Sequence, residues 1–585
     1  MHLRDTIIWS VCITLAVALL ITAGMQLDYI NSERYQMKLI INKPLENAPP
    51  SLAFATVAMG AFRGLVVDIL WLRADRLKEQ GQFFDAKQIA EWITTLQPRF
   101  ASVWEFHGWN MAYNISVAIP ASQPQERWRW VKNGYELLRD EGIVLNPKSM
   151  PLYRELARIF QHKIGGVTDE AHKYYKLQLA TSMEALLGPA DTEFFKVLAE
   201  APEQLEEIIK DPNIAQFISA LKDADKTFND DDGSVSNYLT LRQNPKMFKS
   251  EAFKVIDIFR GTKALKKFDI FAKAYQLRNV WKLDPVLMQE INQTYGPANW
   301  DDPNNHLPLD WRHPDTHAIY WAVLGLKTAG KEEFSVGEAN TDRTVGHSLQ
   351  NLFYGGKIFI YDIFPDPNVN PADQQMTKEV FLRPDLRMFE SCNNARLAVL
   401  EKYEPIASGG TFKSLQDGHR NVLRNAVLLF YQAGHYEQAR KVYNQLRELY
   451  PRDEVNVPLV QFARNYLFGK LENIGLNDAK RSIQMLLRES YFRYALRDDD
   501  EAFGREKMAE ELHKHYQSAY LDENRINLPD FKLLRYFALL DFFNDYRYPL
   551  NLRQSLLGRI KVERPDLAEQ LKHIELQLLE QKPNE

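Results

Sequence analysis

The chain has 585 residues, of which 45% are hydrophobic, 12% aromatic and 25% charged. This composition excludes a small disulfide-bonded peptide and a mainly disordered chain, because disorder requires fewer apolar residues and a larger excess of one charge. The net charge of −5 is small for this length, so the composition argues against nucleic acid as a partner.

The first predicted element is a membrane span. Residues Thr6 to Leu27 contain no charged side chain, and a helix of this length, rising about 1.5 Å per residue, crosses about 30 Å of hydrocarbon. A cleaved signal peptide is the alternative, since Thr22-Ala23-Gly24 offers the small residues of a cleavage site. We predict a single-pass transmembrane anchor over residues 1–28. Because a short N-terminus precedes a large body, we expect the body on the extracytoplasmic (periplasmic) side.

A second apolar stretch follows the predicted anchor. It runs from Leu52 to Leu72 but contains Arg63 and Asp68, and each of these charges is costly at the centre of a bilayer. We therefore predict a juxtamembrane segment and helix over residues 29–66 instead of a second span. That helix either packs against the first repeat or lies in the membrane interface.

Helical hairpins are predicted from residue 67 onward. Residues 67–100 place Gly81 at a turn, Ala86 at a small position inside the following helix and Pro98 at the end of that helix. Small residues let two antiparallel helices approach closely, and proline cannot continue a helix. The first predicted unit is therefore a pair of antiparallel helices joined at Gly81.

The same arrangement recurs along the chain. A second unit begins at Ala101, with Trp104 at a large position and Gly108 at a small one. A third begins near Met150, and another covers residues 420–453 with its turn at Gly434-His435-Tyr436. Repetition of one hairpin at intervals of this kind is typical of stacked helical repeats.

These residues resemble the tetratricopeptide repeat (TPR), a 34-residue helix-turn-helix with large, small, turn and proline positions in fixed places. The chain is also similar to a bacterial family of membrane-anchored, repeat-bearing proteins without assigned activity. The resemblance implies an all-α fold, a TPR-like α-solenoid of helical hairpins with an N-terminal single-pass transmembrane helix. The predicted divisions are the anchor (1–28), the juxtamembrane segment (29–66), TPR-like repeats (67–190), a divergent helical segment with loops (191–317), an irregular repeat-like helical segment (318–419), further TPR-like repeats (420–500) and C-terminal helices (501–585).

The resemblance also implies a binding groove on the first helix of each hairpin. In this sequence the groove positions of the second and third units bear Glu105, Trp109, Tyr113, Arg154, Arg158 and His162. Arginine pairs with carboxylates through two hydrogen bonds, and tryptophan and tyrosine give a large contact area. The groove therefore suits a protein or peptide with an apolar or aromatic patch and a carboxylate. Packing between helices is the other role open to these aromatic side chains.

The most histidine-rich stretch offers a different chemistry. If a helix begins at Pro314, His313 and His317 come near one face and Asp310 can approach them, which resembles a metal site of two histidines and a carboxylate. The same stretch serves equally well to cap and pack a helix. We therefore predict no metal and keep residues 306–317 as an alternative site.

Common catalytic signatures are missing from the sequence. Gly355-Gly356-Lys357 is followed by Ile358, where a nucleotide-binding loop has Ser or Thr, and neither GxSxG nor HExxH occurs. We predict a non-catalytic, membrane-anchored scaffold that binds a protein or peptide partner at the cell envelope, without a cofactor. The alternatives are a structural subunit of a larger membrane complex and an envelope enzyme with its site near residues 306–317.

Overall fold

The structure, a computed structural model, describes residues 63–571 and a few isolated residues between 14 and 33. Within 63–571 it leaves out 189, 230, 301, 303–304, 329–335, 364–374, 407–408, 434, 470–475, 520–527, 546–547 and 569–570. The described chain is mostly helical, as the all-α prediction requires. The predicted span from Thr6 to Leu27 lies almost entirely outside the described residues. Among those that are described, no helix combines the length and the apolar character needed to cross a bilayer.

The chain divides into two compact units. The first unit contains the described residues up to Ala171 together with Trp321–Thr341, and the second contains His172–Tyr320 and the described residues from Asp342 onward. The helices of the first unit before residue 171 are α1 (Arg63–Glu79), α2 (Phe83–Leu96), α3 (Ala101–Trp109), α4 (Ser116–Ala118), α5 (Pro124–Leu137), α6 (Ile143–Leu145) and α7 (Met150–Arg158).

The first hairpin of this unit is the pair α1 and α2. Its turn contains Gly81 with φ of +75°, a left-handed conformation that glycine adopts without a Cβ clash. Val67 and Leu70 of α1 pack with Ile89 and Ile93 of α2 in one apolar cluster. The predicted turn at Gly81 is therefore confirmed, and burial of the apolar faces holds the two helices together.

The second hairpin depends on two glycines where its helices cross. A Cβ added at Gly108 would lie 2.7 Å from Cγ of Leu138, and one added at Gly134 would lie 2.8 Å from the carbonyl oxygen of Gly108. Both distances are shorter than a normal van der Waals contact, so each position requires glycine for this approach. The small position predicted at Gly108 is confirmed.

Two helices of the first unit share an unusual form. Nine α-helical residues of α3 are followed by six π-helical residues, Asn110–Ile115, and nine residues of α7 are followed by six π-helical residues, Ile159–Ile164. A further π turn, Leu138–Gly142, follows α5. Single π turns within α-helices are rare and frequent at functional sites. Helices α3 and α7 thus have the same local structure.

The second unit is built mainly of further helices. In chain order they are α8 (His172–Leu187), α9 (Thr192–Ala199), α10 (Leu205–Ile208), α11 (Pro212–Ala224), α12 (Asp231–Gln243), α13 (Ser250–Phe259), α14 (Lys263–Gln276) and α15 (Pro285–Tyr295). Helices α16 (Pro314–Thr328) and α17 (Val336–Gly355) contribute residues to both units. The remaining helices are α18 (Phe389–Tyr403), α19 (Gly409–Gln432), α20 (Tyr436–Leu449), α21 (Leu459–Gly469), α22 (Leu476–Ala495), α23 (Asp499–Ala519), α24 (Phe531–Asn544), α25 (Leu550–Glu563) and α26 (Pro565–Ala568).

A pair of strands interrupts the helices of the second unit. Strand β1 (Lys357–Ile363) pairs antiparallel with β2 (Thr377–Arg383), so that Lys357 lies opposite Arg383. Ile358 and Val380 pack against Ala180 of α8. The segment 318–419 was expected to be helical throughout, and this expectation is wrong for the two strands. Their β-branched and aromatic residues favour a pleated, half-buried sheet.

Candidate functional site

The six residues of the predicted groove lie on two matching helical segments of the first unit. Glu105, Trp109 and Tyr113 are the fifth, ninth and thirteenth residues of α3 with its π turn, and Arg154, Arg158 and His162 are the same positions of α7 with its π turn. We call these six residues the aromatic–arginine patch. They come from segments far apart in sequence, and the contacts below show which of them meet.

Three rings of the patch form a continuous row. The ring centroids of Trp109 and Tyr113 are 6.1 Å apart with an interplanar angle of 22°. The centroids of Tyr113 and His162 are 5.8 Å apart and tilted by 34°. Trp109 and Tyr113 are half-buried, whereas His162 is exposed. Tyr113 therefore connects the two helices at the centre of the row.

Cations cover the face of Tyr113. The guanidinium carbon of Arg158 lies 4.6 Å from the ring centroid of Tyr113, and Nζ of Lys163 lies 5.4 Å from it. The Tyr113 hydroxyl also donates a hydrogen bond of 3.3 Å to the carbonyl oxygen of Arg158. Burial raises the pKa of Tyr113 well above its usual range, so the phenol stays protonated. Contacts of a cation with an aromatic face contribute about 0.5–2 kcal/mol.

The two arginines of the patch have different surroundings. Arg158 donates from Nε and Nη2 to the buried carboxylate of Glu155, over 2.7 and 2.8 Å. Arg154 makes no hydrogen bond or ion pair to any residue in the described part of the chain. Of the two predicted carboxylate-binding arginines, Arg158 is already paired and Arg154 is open to a ligand.

The acidic and imidazole groups of the patch are perturbed by burial and by the neighbouring cations. Burial raises the pKa of Glu105, although the charges of Arg154 and Arg158 act in the opposite direction. Burial and the positive charges of Arg158 and Lys163 lower the pKa of His162. His162 is therefore neutral at pH 7, and it offers one hydrogen-bond donor and one acceptor.

A buried ion network fixes Lys163 behind Tyr113. The carboxylate of Asp169 accepts hydrogen bonds from Nζ of Lys163 at 2.5 Å, from Nη1 of Arg127 at 3.0 Å and from the backbone N–H of Ala171 at 2.9 Å. Burial alone would raise the pKa of Asp169, but these hydrogen bonds and charges hold it below its usual value. The carboxylate stays ionised and holds Lys163 in place.

Sequence reasoning missed three residues that contact the patch. Glu155 and Lys163 are the partners described above, and Lys78 of α1 places Nζ 6.0 Å from the ring centroid of Trp109. The spacing of Glu155 and Arg158 by three residues on one helix is a sequence signal for their ion pair. No local signal connects Lys78 with Trp109, because they belong to different hairpins.

The histidine-rich stretch does not form the metal site considered from the sequence. The Nδ1 of buried His313 accepts a hydrogen bond from the backbone N–H of Asp315, and Nε2 of His317 lies 2.9 Å from the carbonyl oxygen of Trp311. Asp310 forms a two-pronged ion pair with Arg312. Within the described residues, no group of three or more His, Cys, Asp and Glu side chains could hold a metal ion.

Neither family models nor curated proteins offer a guide to this patch. No family model matches the chain, and a search of the curated proteins finds no significant match. The resemblance to tetratricopeptide repeats therefore stays a prediction.

Proposed function

We propose that this protein is a non-catalytic scaffold whose aromatic–arginine patch binds a protein or peptide partner at the cell envelope. In this proposal the helical hairpins form a TPR-like α-solenoid, and the uncharged segment from Thr6 to Leu27 tethers it to the membrane as a single-pass anchor. The body lies on the extracytoplasmic side. A repeat protein of this kind offers an extended binding surface without needing a catalytic group.

One observation carries the proposal. Two helices, far apart in sequence, have the same α-then-π form and bring equivalent residues into contact, so that Tyr113 meets His162 at a ring distance of 5.8 Å. Repeated hairpins that place the same positions on one surface are the basis of partner recognition in helical repeats. The contact between Tyr113 and His162 supports a shared surface of this kind.

The chemistry of the patch indicates the kind of partner. Trp109 and Tyr113 keep part of their ring surface accessible to solvent, and such aromatic surfaces bind apolar or aromatic side chains with little loss of conformational entropy. Arg154 supplies a guanidinium that makes no hydrogen bond or ion pair within the described residues, although its charge acts on Glu105, and such a group suits a carboxylate of the partner. Arg158 has a positioning role, because its pairing with Glu155 holds the guanidinium on Tyr113. We therefore expect a peptide with an aromatic or apolar side chain next to an acidic one.

The test is selection of peptides from a random displayed library with the full-length protein as bait. We expect enriched peptides to pair an aromatic residue with Asp, Glu or a C-terminal carboxylate. Trp109→Ala and Arg154→Gln should each weaken binding of a selected peptide about tenfold, the loss typical of a residue at the centre of an interface. Arg129→Gln is the matched control, since Arg129 is an exposed arginine on α5.

Two results would contradict this function. One is unchanged peptide binding by Arg154→Gln and Trp109→Ala variants whose circular dichroism matches that of the unaltered protein. The other concerns the tether: removal of residues 1–28 should move the protein from the membrane fraction to the soluble fraction. A truncated protein that stays with the membranes would show that the tether lies elsewhere.

A further inference from the structure

The second unit contains a cavity of about 610 Å³. Cavities that bind small molecules typically measure about 300–1,000 Å³ and combine apolar walls with a few polar groups. Here the apolar part of the wall includes Leu187 of α8, Phe195 of α9 and Leu352 of α17, together with residues outside the α-helices such as Leu309, Ile358 and Met388. The polar part consists of three carboxylates and three cations, whose pairing decides what the cavity can hold.

Two Asp-x-Arg turns with the same internal geometry form part of the wall. In the first, Oδ1 of Asp310 accepts hydrogen bonds from the backbone N–H of Arg312 at 3.0 Å and from its Nε at 2.9 Å, and Oδ2 accepts from Nη2 at 2.8 Å. In the second, Asp385 accepts the same three bonds from Arg387 at 3.2, 2.9 and 2.8 Å. Each aspartate is therefore occupied at both oxygens by its own arginine.

The middle residue of each turn anchors it in the core. Trp311 is buried and its Nε1 donates to Oδ1 of Asn292 at 3.1 Å. Leu386 is buried as well, and the backbone N–H of Asp385 donates to the carbonyl oxygen of Phe353 at 3.2 Å. Buried and hydrogen-bonded anchors of this kind leave the arginine side chains little freedom to move.

The charge left uncommitted in the cavity wall is positive. Nη1 of Arg312 donates to Glu184 at 2.8 Å, so the third carboxylate of the wall is also engaged. The side chain of Lys357 makes no hydrogen bond or ion pair with any residue that the structure describes. Nη1 of Arg387 likewise has no partner among the described residues. The Lys357 side chain therefore borders the cavity without a counter-charge among the described residues, and Arg387, which is paired with Asp385, adds the free N–H donors of Nη1.

The backbone before Lys357 fixes where its side chain starts. A Cβ added at Gly356 would lie 2.3 Å from the carbonyl oxygen of Leu352, so only glycine allows the chain to leave α17 at this point. Lys357 is the next residue and opens β1 opposite Arg383. The sequence Gly355-Gly356-Lys357, which does not continue as a nucleotide-binding loop, thus acquires a structural role at the cavity wall.

We propose that this cavity binds a small organic anion with an apolar body, its anionic group contacting Lys357 and the open edge of Arg387 and its body packing against Phe195, Leu352 and Met388. A carboxylate and a phosphate both fit this description, because either accepts charge-assisted hydrogen bonds from lysine and arginine. The cavity is independent of the partner-binding function proposed above, since it lies wholly within the second unit.

The test is isothermal titration calorimetry of the full-length protein with three probes of the same chain length: octanoate, octyl phosphate and octylamine. We expect one equivalent of octanoate or of octyl phosphate to bind and octylamine not to bind. Octanoate alone would identify a carboxylate ligand, and octyl phosphate alone a phosphate ligand. Acetate and inorganic phosphate should bind far more weakly, because they lack the apolar body.

Variants of the cavity wall complete the test. Lys357→Gln should weaken binding of the anionic probe about tenfold or more, Lys357→Arg should retain it, and Lys378→Gln serves as the control because Lys378 is an exposed lysine on β2. Ala190→Phe should block binding by filling the cavity while every charge stays in place. The proposal is wrong if neither anionic probe binds at millimolar concentration, or if folded Lys357→Gln and Ala190→Phe variants both bind as the unaltered protein does.

Discussion

The crossing of α3 and α5 depends on Gly134, and replacing it with alanine gives a sharp test of the hairpin. The new Cβ would stand 2.8 Å from the carbonyl oxygen of Gly108 and 3.1 Å from Cβ of Ala112. The first contact is with backbone, which cannot rotate away as a flexible side chain can. The two helices therefore have to move apart by several tenths of an ångström.

The expected effect of Gly134→Ala is the balance of two terms. Overpacking of a close-packed contact destabilises the folded state by about 1–3 kcal/mol. The better helix propensity of alanine stabilises it by about 0.5–1 kcal/mol. The first term is larger, so we expect a net loss of about 1–2 kcal/mol. For a unit of 150–250 residues, this corresponds to a fall of about 2–8 °C in its melting temperature.

Differential scanning calorimetry and hydrogen exchange of peptides from α3 and α5 measure this loss. The control is Gly558→Ala in α25, where no heavy atom lies within 4 Å of the added Cβ. Gly558→Ala should stabilise its helix by about 0.5–1 kcal/mol, because it gains propensity without a clash. If Gly134→Ala slows exchange in α3 and α5 as Gly558→Ala does in α25, the argument from close approach of the helices is refuted.

Three further variants test buried groups. Burial lowers the pKa of His107 to about 3, so the unfolded chain binds a proton between about pH 6.5 and pH 3 that the folded chain does not, and stability falls as the pH drops through this range. His107→Leu should therefore lose less stability than the unaltered protein between pH 7 and pH 4.5 in urea titrations, and equal losses would contradict this. Burial also raises the pKa of the Cys392 thiol. In a Cys12→Ser variant, a thiol reagent should therefore modify Cys392 only after the protein unfolds. Complete modification of the native variant within minutes would contradict this expectation. Asp169→Asn removes the buried carboxylate that pairs with both Lys163 and Arg127 and leaves Arg127 only the exposed carboxylate of Glu170, 3.7 Å away. This should destabilise by about 3–5 kcal/mol in the same urea titrations, and a loss below about 1 kcal/mol would argue against the buried network.

The hairpins could be predicted from the sequence because their determinants are local. Gly81 is needed for a left-handed turn within its own hairpin, and Gly108 is needed where the two helices of one hairpin cross. Residues 420–453 likewise contain a helix pair, although α19 begins earlier, at Gly409, and α20 already begins at Tyr436. Gly434 of the predicted turn lies outside the described residues. In each case the residues that meet are separated by a short length of chain, so the spacing of small and large residues is sufficient.

The resemblance to helical repeats predicts helices throughout residues 318–419, and this prediction misses the strand pair. Lys357–Ile363 reads KIFIYDI, a run of β-branched and aromatic residues between Gly356 and a later Pro-rich stretch. Such a run is a sequence signal for a strand. Its partner, Thr377–Arg383, begins 14 residues after β1 ends, so no tight hairpin turn marks the pair.

The cavity could not be predicted because its two Asp-x-Arg turns meet only through the tertiary fold. The hydrogen bonds of each turn are local, but the two turns are 75 residues apart in the sequence, counted from Asp310 to Asp385. In the sequence, Lys357 follows two glycines as in a nucleotide-binding loop, but Ile358 stands where such a loop has Ser or Thr. The absence of a counter-charge beside a lysine is a property of the folded surroundings and leaves no trace in the spacing of residues.

The residues of the aromatic–arginine patch could be predicted from the sequence, as the hairpins were, but the π turns that contain two of them could not. A π turn holds more residues per turn than an α-helix, so a single one would rotate every later side chain away from the face that a 3.6-residue period predicts. Here Tyr113 and His162 both lie inside π turns that begin at the same position of α3 and α7. The rotation is therefore the same in both helices, and the equivalent residues Tyr113 and His162 are still in contact. The 3.6-residue period of an α-helix does not hold within either π turn. Tyr113 and His162 thus keep equivalent positions because the π turn is repeated, and no periodicity in the sequence reveals that repetition.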